Sequence, residues 1–300
     1  MSSTLFRSSL VGRHGSGAAE GWVAADGRLW RRVLRHRGGR FGTALGVVLA
    51  LVAVIGPLLT ADPNLTDYTN KLASPSGEHL LGTDLAGRDF FARTLVGAQT
   101  SLGAALLVMA IVTVIGLGVG VLAGSAGGAI DTVLNRLMDV VLGIPGLVLT
   151  LAIVGMLGPS FLNLVIAMTV TGWAGLAKLA RAHTRGASQR PDVIAARMAG
   201  AGPLRIAFGH VLPGAVSLVL VASTLRIGET VVAFAGLSFL GLGAQPPTAE
   251  WGTMLSESRM TLAIAPFQII GPGVGLMLTV LASTLVADAL RDVSEPGSRQ

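Results

Sequence analysis

The segment 191–213 reads PDVIAARMAGAGPLRIAFGHVLP, and strongly apolar stretches flank it on both sides. Pro191 suits the first turn of a helix, because that position needs no backbone N–H donor, and Asp192 beside it complements the positive N-terminal end of a helix. Gly200 predicts the end of this helix, and Pro203 can begin a second short one. The segment is therefore predicted to form two short helices held between membrane spans.

The composition of the chain is that of a membrane protein. Of its 300 residues, 51% are hydrophobic and 13% are charged, whereas soluble domains carry about 25% charged residues. Cysteine is absent, which excludes disulfides, thiol chemistry and cysteine-based metal sites. The net charge of +6 comes from arginines that lie where the positive-inside rule places them. We therefore expect membrane lipid, and no nucleic acid, among the partners.

Six stretches are long and apolar enough to cross a bilayer, which requires about 20 mostly apolar residues. All six should be helices, because lipid cannot satisfy the polar groups of an open sheet edge. The prediction is an all-α integral membrane protein with six transmembrane helices. The spans lie roughly at 41–60, 101–123, 137–158, 161–180, 213–235 and 267–287.

The distribution of arginine predicts how the chain is oriented. Residues 1–40 are polar, rich in glycine and basic, and are predicted to form a mobile cytoplasmic tail. The connection 181–212 holds five arginines and one acid, while the connection 61–100 holds three basic and five acidic residues. Basic connections stay in the cytoplasm, so 181–212 is expected inside and 61–100 outside. The expected organisation is a tail at 1–40, the first helix and an extracytoplasmic loop at 41–100, a transmembrane domain at 101–290, and a cytoplasmic tail at 291–300.

The spacing within 191–213 resembles the EAA signature of the membrane subunits of ABC importers. That signature has Glu-Ala-Ala, three residues, Gly, nine residues, and a hydrophobic-x-Leu-Pro ending. Here Ile194 stands at the position of the glutamate, and His210 stands at the hydrophobic position. The resemblance implies a coupling helix that fits a groove on a cytoplasmic ATPase. Its coupling residues would be Pro191, Asp192, Ile194, Ala195, Ala196, Arg197, Gly200, Leu212 and Pro213.

Four further stretches resemble the C-type permease subunit of dipeptide and oligopeptide ABC importers, in the same order along the chain. One is Leu-Gly-Thr-Asp-x-x-Gly-Arg-Asp at 81–89, and another begins with Leu-Ser-Phe-Leu-Gly at 237–241. The other two lie at 127–145 and 288–292. Together they imply the type I ABC importer permease fold. They also imply a function as half of the pathway for di- and oligopeptides across the cytoplasmic (inner) membrane of a prokaryote.

The resemblance also implies partners for the chain. A sister permease subunit would complete a heterodimer, two ATPase subunits or domains would drive transport, and an extracytoplasmic binding protein would deliver the peptide. The chain itself lacks a phosphate-binding loop, which requires Gly-Lys followed by Ser or Thr, because neither Lys71 nor Lys178 follows a glycine. We therefore expect a non-catalytic subunit with no cofactor and no metal site.

Two alternatives stay open on the sequence. The same subfamily includes importers of nickel and of other small solutes. A protein of a different class, a self-sufficient secondary transporter, would contain inverted repeats or broken half-helices with ionisable residues at mid-membrane. Neither of these two features is clear in the sequence.

Arg226 and Glu229 interrupt the fifth span and lie three residues apart, on one helix face. A lone charge at the middle of a span costs about 2.5–3.5 kcal/mol, and such residues usually face a cavity or a partner. They are candidates for the translocation path or for the seam with the sister subunit. The alternative is a self-satisfied pair near the outer end of the span.

Three smaller patterns lead to further predictions. Arg136 and Asp139 are expected to form a structural pair at the cytoplasmic entrance of the third span. Trp251 falls near a span end, where anchoring at the membrane interface is the default. Glycines repeat every four residues over 116–124, which predicts a face of close helix packing.

Overall fold

The computed structural model describes residues 27–60 and 62–294, and these residues form helices joined by loops, with no β-strand among them. Residues 1–26 of the predicted N-terminal tail and 295–300 of the predicted C-terminal tail lie outside the described residues. In chain order the helices are α1 Gly27–Arg35, α2 Arg37–Leu59, α3 Phe90–Ala126, α4 Gly128–Gly143, α5 Gly146–Leu157, α6 Phe161–Ala187, α7 Pro191–Met198, α8 Pro203–Ile206, α9 Leu212–Phe239, α10 Trp251–Thr261 and α11 Ile270–Ser294.

Five helical stretches of the described chain are long and apolar enough to cross a membrane, and they contain α2, α3, α6, α9 and α11. The predicted third span, 137–158, was wrong as a single helix, because α4 and α5 meet at a bend of 89°. Pro145 cannot donate a backbone hydrogen bond and disfavours the helical conformation of the residue before it, so α4 ends at Gly143. The all-α membrane fold is confirmed, with five continuous helices long enough to span, or six if the bent pair of α4 and α5 forms one broken span.

The centre of the bundle is the crossing of α3 and α6. A Cβ atom added to Gly116 would lie 2.8 Å from the Cβ of Leu176, and one added to Gly120 would lie 2.5 Å from the Cβ of Ala180. The two helices approach this closely because the glycines place no side chain between them. The predicted glycine face is therefore confirmed, and we call this contact the glycine seam.

Helix α1 lies within residues 1–40, which were predicted to form a mobile tail, and that prediction was wrong for this part. From residue 27 onward the chain is helical, and the side chain of Val33 is fully buried. It packs in a cluster with Ala289 and Leu290 of α11, which Val221 of α9 also contacts. This apolar contact fixes α1 to the bundle, although its composition is dominated by arginine.

The loop 62–89 is fixed to the bundle by ionic contacts around Arg93, whose side chain is completely buried in α3. Its Nη2 lies 3.4 Å from Glu257 Oε2, and its Nε lies 3.4 Å from Asp84 Oδ2. Arg88 Nε donates to the same Asp84 oxygen at 2.6 Å. Burial raises the pKa of the Glu257 carboxyl, against the opposing effect of the two arginines. We call Asp84, Arg88, Arg93 and Glu257 the arginine cluster.

Trp251 is buried in the protein, so the prediction that its side chain anchors the chain at the membrane interface was wrong. Its indole Nε1 donates to the carbonyl oxygen of Thr94 at 3.0 Å, which satisfies the polar atom of the ring. A Cβ added to Gly275 would lie 2.6 Å from the indole ring, and one added to Gly97 would lie 3.0 Å from it. The two glycines provide the space that lets a large aromatic ring lie in the core.

Candidate functional site

Helix α7 carries most of the predicted coupling residues, and it begins at Pro191 and ends before Gly200, as the sequence predicts. Gly200 has φ of +83°, and its N–H donates to the carbonyl oxygen of Arg197 at 3.0 Å. The N–H of Ala201 donates to the carbonyl oxygen of Ala196, also at 3.0 Å. These two bonds form a Schellman motif, which favours glycine because glycine adopts positive φ without strain.

The side chains of α7 are attached to the rest of the chain at few points. Val193 alone is fully buried in this helix. Asp192 lies 3.2 Å from Arg190 Nε and 3.8 Å from His210 Nδ1 through its two carboxylate oxygens. One apolar contact and one carboxylate therefore hold α7 in place. The apolar cluster comprises Ala187, Val193, Ile206 and Val211.

Four large apolar side chains are exposed on α7 and the segment after it, among exposed charged residues such as Arg197. Ile194 is 42% exposed, Met198 84%, Leu204 73% and Phe208 66%. We call these four residues the apolar face. Ile194 and Met198 are four residues apart and so share one side of α7. The sequence interpretation named Ile194 and missed the other three, although the spacing of four in both pairs was the available signal.

The structure separates the predicted coupling residues into two groups. Leu212 and Pro213 lie at the start of α9, after the π-helical turn Ala207–Val211. A π turn is uncommon and frequently lies at a functional site, and no residue pattern had indicated this one. The other predicted coupling residues lie on or beside α7. Ala196 is half-buried, and the others are exposed: Pro191, Asp192, Ile194, Ala195, Arg197 and Gly200.

A second candidate site lies in the middle of the bundle. Arg226 and Glu229 occupy the middle of α9 and line a cavity of about 350 Å³ between α3, α5, α6 and α9. The hydroxyl groups of Thr150 and Thr171 lie 3.1 Å apart in its wall, and Thr230 also lines it. We call this space the polar cavity, since it offers a cation, an anion and hydroxyl groups.

Arg226 and Glu229 do not form an ion pair with each other, nor with any other described residue. The Arg226 guanidinium lies against α6, where a Cβ added to Gly175 would be 3.1 Å from Nη1. Both charged side chains are exposed in the single chain. The alternative expectation, a self-satisfied pair near the outer end of the span, is therefore wrong for this structure.

Ion pairs that the sequence did not predict connect α4 to α6. Asp139 Oδ1 lies 2.5 Å from Lys178 Nζ, and Arg181 Nη2 donates to Asp131 Oδ2 at 2.8 Å. The predicted pair of Arg136 with Asp139 was wrong, because the crossing of α6 brings a lysine to that carboxylate. These contacts fix the last turns of α6, from which the chain leads into α7.

Comparison with known proteins gives a consistent result over most of the chain. Residues 116–300 match the family described as binding-protein-dependent transport system inner membrane component, and residues 27–75 match the N-terminal transmembrane domain of oligopeptide transport permease C. The glutathione transport system permease protein GsiD of Pectobacterium atrosepticum is 39% identical over 269 residues, which is 89% of each chain. The nickel transport system permease protein NikC of Escherichia coli is 37% identical over 254 residues, which cover 83% of this chain and 92% of that one.

Proposed function

Because the chain belongs to the family of inner-membrane components of binding-protein-dependent transport systems and is thus an ABC importer permease, we propose that it forms half of the translocation pathway for di- and oligopeptides. A sister permease subunit completes the pathway as a heterodimer. Two ATPase subunits or domains hydrolyse ATP, and an extracytoplasmic binding protein delivers the peptide. Both termini lie in the cytoplasm. The family membership sets aside a self-sufficient secondary transporter.

The observation that carries the proposal is the exposure of the apolar face, which includes Ile194 and Met198 on the short helix α7. An isolated helix of the eight residues of α7 is not stable in water, because helices shorter than about 12–15 residues are marginal. Here Val193 and the Schellman motif at Gly200 keep it formed. A helix that exposes large apolar side chains is suited to an interface, and we assign this one to the ATPase.

The coupling segment 191–206 gives the ATPases a point at which to act on the membrane helices. It follows α6 directly and leads through the π turn into α9. A ligand shifts a conformational equilibrium only by binding one state better than the other. ATP-driven closure of the ATPase pair supplies that difference, and α7 carries it to the helices that line the polar cavity.

The polar cavity supports a peptide as the transported solute. Charges at the middle of a span usually face a water-filled path or a protein partner. A free peptide carries one carboxylate and one ammonium, which Arg226 and Glu229 can bind through charge-assisted hydrogen bonds. The relative GsiD is named for glutathione, which is a tripeptide.

Nickel is the second candidate, because the relative NikC is named for nickel transport. Divalent transition metals are bound by several imidazole, thiolate or carboxylate ligands. The polar cavity has one carboxylate, Glu229, and the guanidinium of Arg226 lines the same space. No group of three or more metal-binding side chains occurs among the described residues. A bare cation is therefore the weaker fit.

The direct test is uptake of a labelled tripeptide and of radioactive nickel by cells that lack the native chain and carry it on a plasmid, with its partner subunits. We expect ATP-dependent uptake of the peptide and no uptake of nickel. Uptake of nickel without uptake of the peptide would make nickel the transported solute. Uptake of either solute when no ATPase is present would overturn the assignment of the energy source.

Docking of the ATPase is tested separately from transport. Replacing Met198 and Phe208 with Asp is expected to abolish co-purification of the ATPases while the chain still inserts. The matched control is Leu65→Asp, since Leu65 is similarly exposed in the loop 62–89, which we expect on the opposite side of the membrane. Full ATPase retention by the Met198 and Phe208 variant would show that the apolar face is not the docking surface.

A further inference from the structure

An apolar groove of about 490 Å³ opens on the side of the bundle between α2, α3, α9 and α11. Along α2 its wall runs from Gly42 to Val54, a rise of about 18 Å at about 1.5 Å per residue. One leaflet of hydrocarbon is about 15 Å deep, half of the bilayer core. The groove therefore matches the depth of one leaflet, whereas a groove for a whole transmembrane helix would extend across both.

The Gly42 end of the groove is bordered by cations of α2. Thr43 and Val47 line the groove, and Arg40 precedes them by three and seven residues. It therefore lies on the same side of the helix, beyond the end of the apolar wall. Arg37 lies one turn earlier, and both guanidinium groups are exposed.

Helix α1 brings further cations to the same end. Val33 of α1 is buried in a cluster that Leu225 of α9 contacts. Thr224, the residue just before Leu225, lines the groove, so α1 lies beside the Gly42 end. No Asp or Glu occurs between residues 27 and 60. Within the described residues no carboxylate lies within 4.0 Å of the five exposed arginines: Arg31, Arg32, Arg35, Arg37 and Arg40.

We propose that this groove binds an anionic phospholipid, with an acyl chain along α2 and the phosphate on Arg37 and Arg40. Guanidinium groups bind phosphate through paired hydrogen bonds, and a basic amphipathic helix such as α1 lies in the interfacial layer where the headgroups are. A zwitterionic lipid fills the groove with the same apolar contact but brings no net charge to the five arginines. The lipid joins α1 and α2 to the remainder of the bundle.

The test measures which lipid the full-length chain retains. The chain is reconstituted into vesicles of equal parts phosphatidylcholine and phosphatidylglycerol, extracted in mild detergent, and its bound lipids are quantified by mass spectrometry. We expect phosphatidylglycerol to be enriched. Arg40→Gln should lower the enrichment by about fivefold, and Arg37→Gln with Arg40→Gln by about 25-fold, since each basic residue near an anionic surface contributes by about that factor. Arg259→Gln, which removes the same charge from α10, should not lower it.

A second pair of variants tests the groove itself. Gly46 lines the groove, and a Cβ added there meets no atom within 4 Å, so Gly46→Leu fills the space without a clash and should lower the amount of both lipids retained. Gly118→Leu is the matched control, because Gly118 on α3 is equally open and lies outside the groove.

Two results would overturn the proposal. One is equal retention of the two lipids by the native chain, unchanged in the arginine variants. The other is that the Gly46→Leu variant, co-expressed with the sister subunit, no longer co-purifies with it while its bound lipid is unchanged, which would make the groove a subunit interface. Retained helical circular dichroism in each variant confirms that the comparison is between folded proteins.

Discussion

The hydroxyl group of Ser101 in α3 donates to Glu250 Oε1 at 2.8 Å, inside a site where both side chains are buried. The same hydroxyl oxygen accepts the backbone N–H of Trp251 at 3.0 Å, and Glu250 Oε2 accepts that of Thr253 at 2.9 Å. Glu250 is thus the N-terminal cap of α10 and also its attachment to α3. A buried carboxylate persists only where its oxygens are satisfied in this way.

Removal of this carboxylate is expected to be costly. Glu250→Ala leaves the Ser101 hydroxyl and the Thr253 N–H without their acceptor, at about 1–3 kcal/mol for each unsatisfied buried group. We expect a clear fall in the melting temperature of the detergent-solubilised chain, measured by intrinsic fluorescence. Glu78→Ala is the control, because Glu78 is exposed in the loop 62–89 and should change stability by less than about 0.5 kcal/mol. Equal melting temperatures of the two variants would refute the capping role.

Gly200→Val tests the coupling helix through its backbone. A β-branched residue at φ of +83° is strained, at about 1–3 kcal/mol, although a Cβ there meets no other atom. We expect insertion to be normal and both transport and ATPase binding to be lost. Gly202→Val is the matched control, since Gly202 is equally open but has no positive φ. Normal peptide uptake by a well-expressed Gly200→Val variant would remove α7 from the coupling role.

Arg226 and Glu229 are expected to act on different ends of the peptide. If Arg226 binds the carboxylate, Arg226→Gln should lose about 10–100-fold in uptake efficiency, as charge-assisted hydrogen bonds predict, and should no longer distinguish a peptide from its C-terminal amide. The measurement is the ratio of peptide uptake to uptake of its C-terminal amide. The peptide is chosen so that the binding protein still delivers the amide. Glu229→Gln should keep that ratio and lose discrimination against N-acetylated peptide. Equal loss for acid and amide in Arg226→Gln would place this residue at the subunit seam.

The orientation of the chain is expected to follow its arginines. A reporter fused after Asn70 should lie outside the cytoplasm, and one fused after Ser188 inside, because basic connections are retained in the cytoplasm. Alkaline phosphatase and a fluorescent protein give opposite readings in the two compartments. The reverse pattern would make contact between α7 and a cytoplasmic ATPase impossible.

Glu257 is expected to make stability depend on pH. Burial raises the pKa of its carboxyl above the usual value of 4.5, so the folded chain holds this proton more tightly than the unfolded chain does. The stabilisation by the protonated form is complete below the ordinary pKa and is lost as pH rises through the raised value. Glu257→Gln should flatten this fall in melting temperature as the pH rises above the ordinary pKa of the carboxyl. An unchanged pH profile would mean that another group titrates.

The sequence predicted the features that depend on neighbouring residues. Pro191 and Gly200 delimit α7 through local backbone preferences, and the apolar stretches predicted the spans because hydropathy depends on composition. The prediction of a single third span was wrong because hydropathy depends on composition alone. An average over 137–158 includes Pro145 among apolar neighbours and does not detect the break in the helix. Pattern reasoning also stopped at residue 40, so the burial of Val33 in α1 was missed.

The remaining errors involve residues far apart in the chain. Asp139 pairs with Lys178 because two helices cross, and Trp251 is buried because glycines on two other helices make room for it. Nothing near Arg226 in the sequence showed that it would lie against Gly175 and have no carboxylate partner among the described residues. Contacts of this kind depend on helix packing and cannot be obtained from periodicity.

Helix α3 has 37 residues, which makes it about 55 Å long at about 1.5 Å per residue and longer than the roughly 40–45 Å of a bilayer with its headgroups. The glycine seam packs it closely against α6, with the arginine cluster near the start of α3 and the approach to α7 at the end of α6. We expect a displacement of α7 to tilt α3 and α6 together, which would couple the ATPase side of the protein to the arginine cluster at the far end of α3.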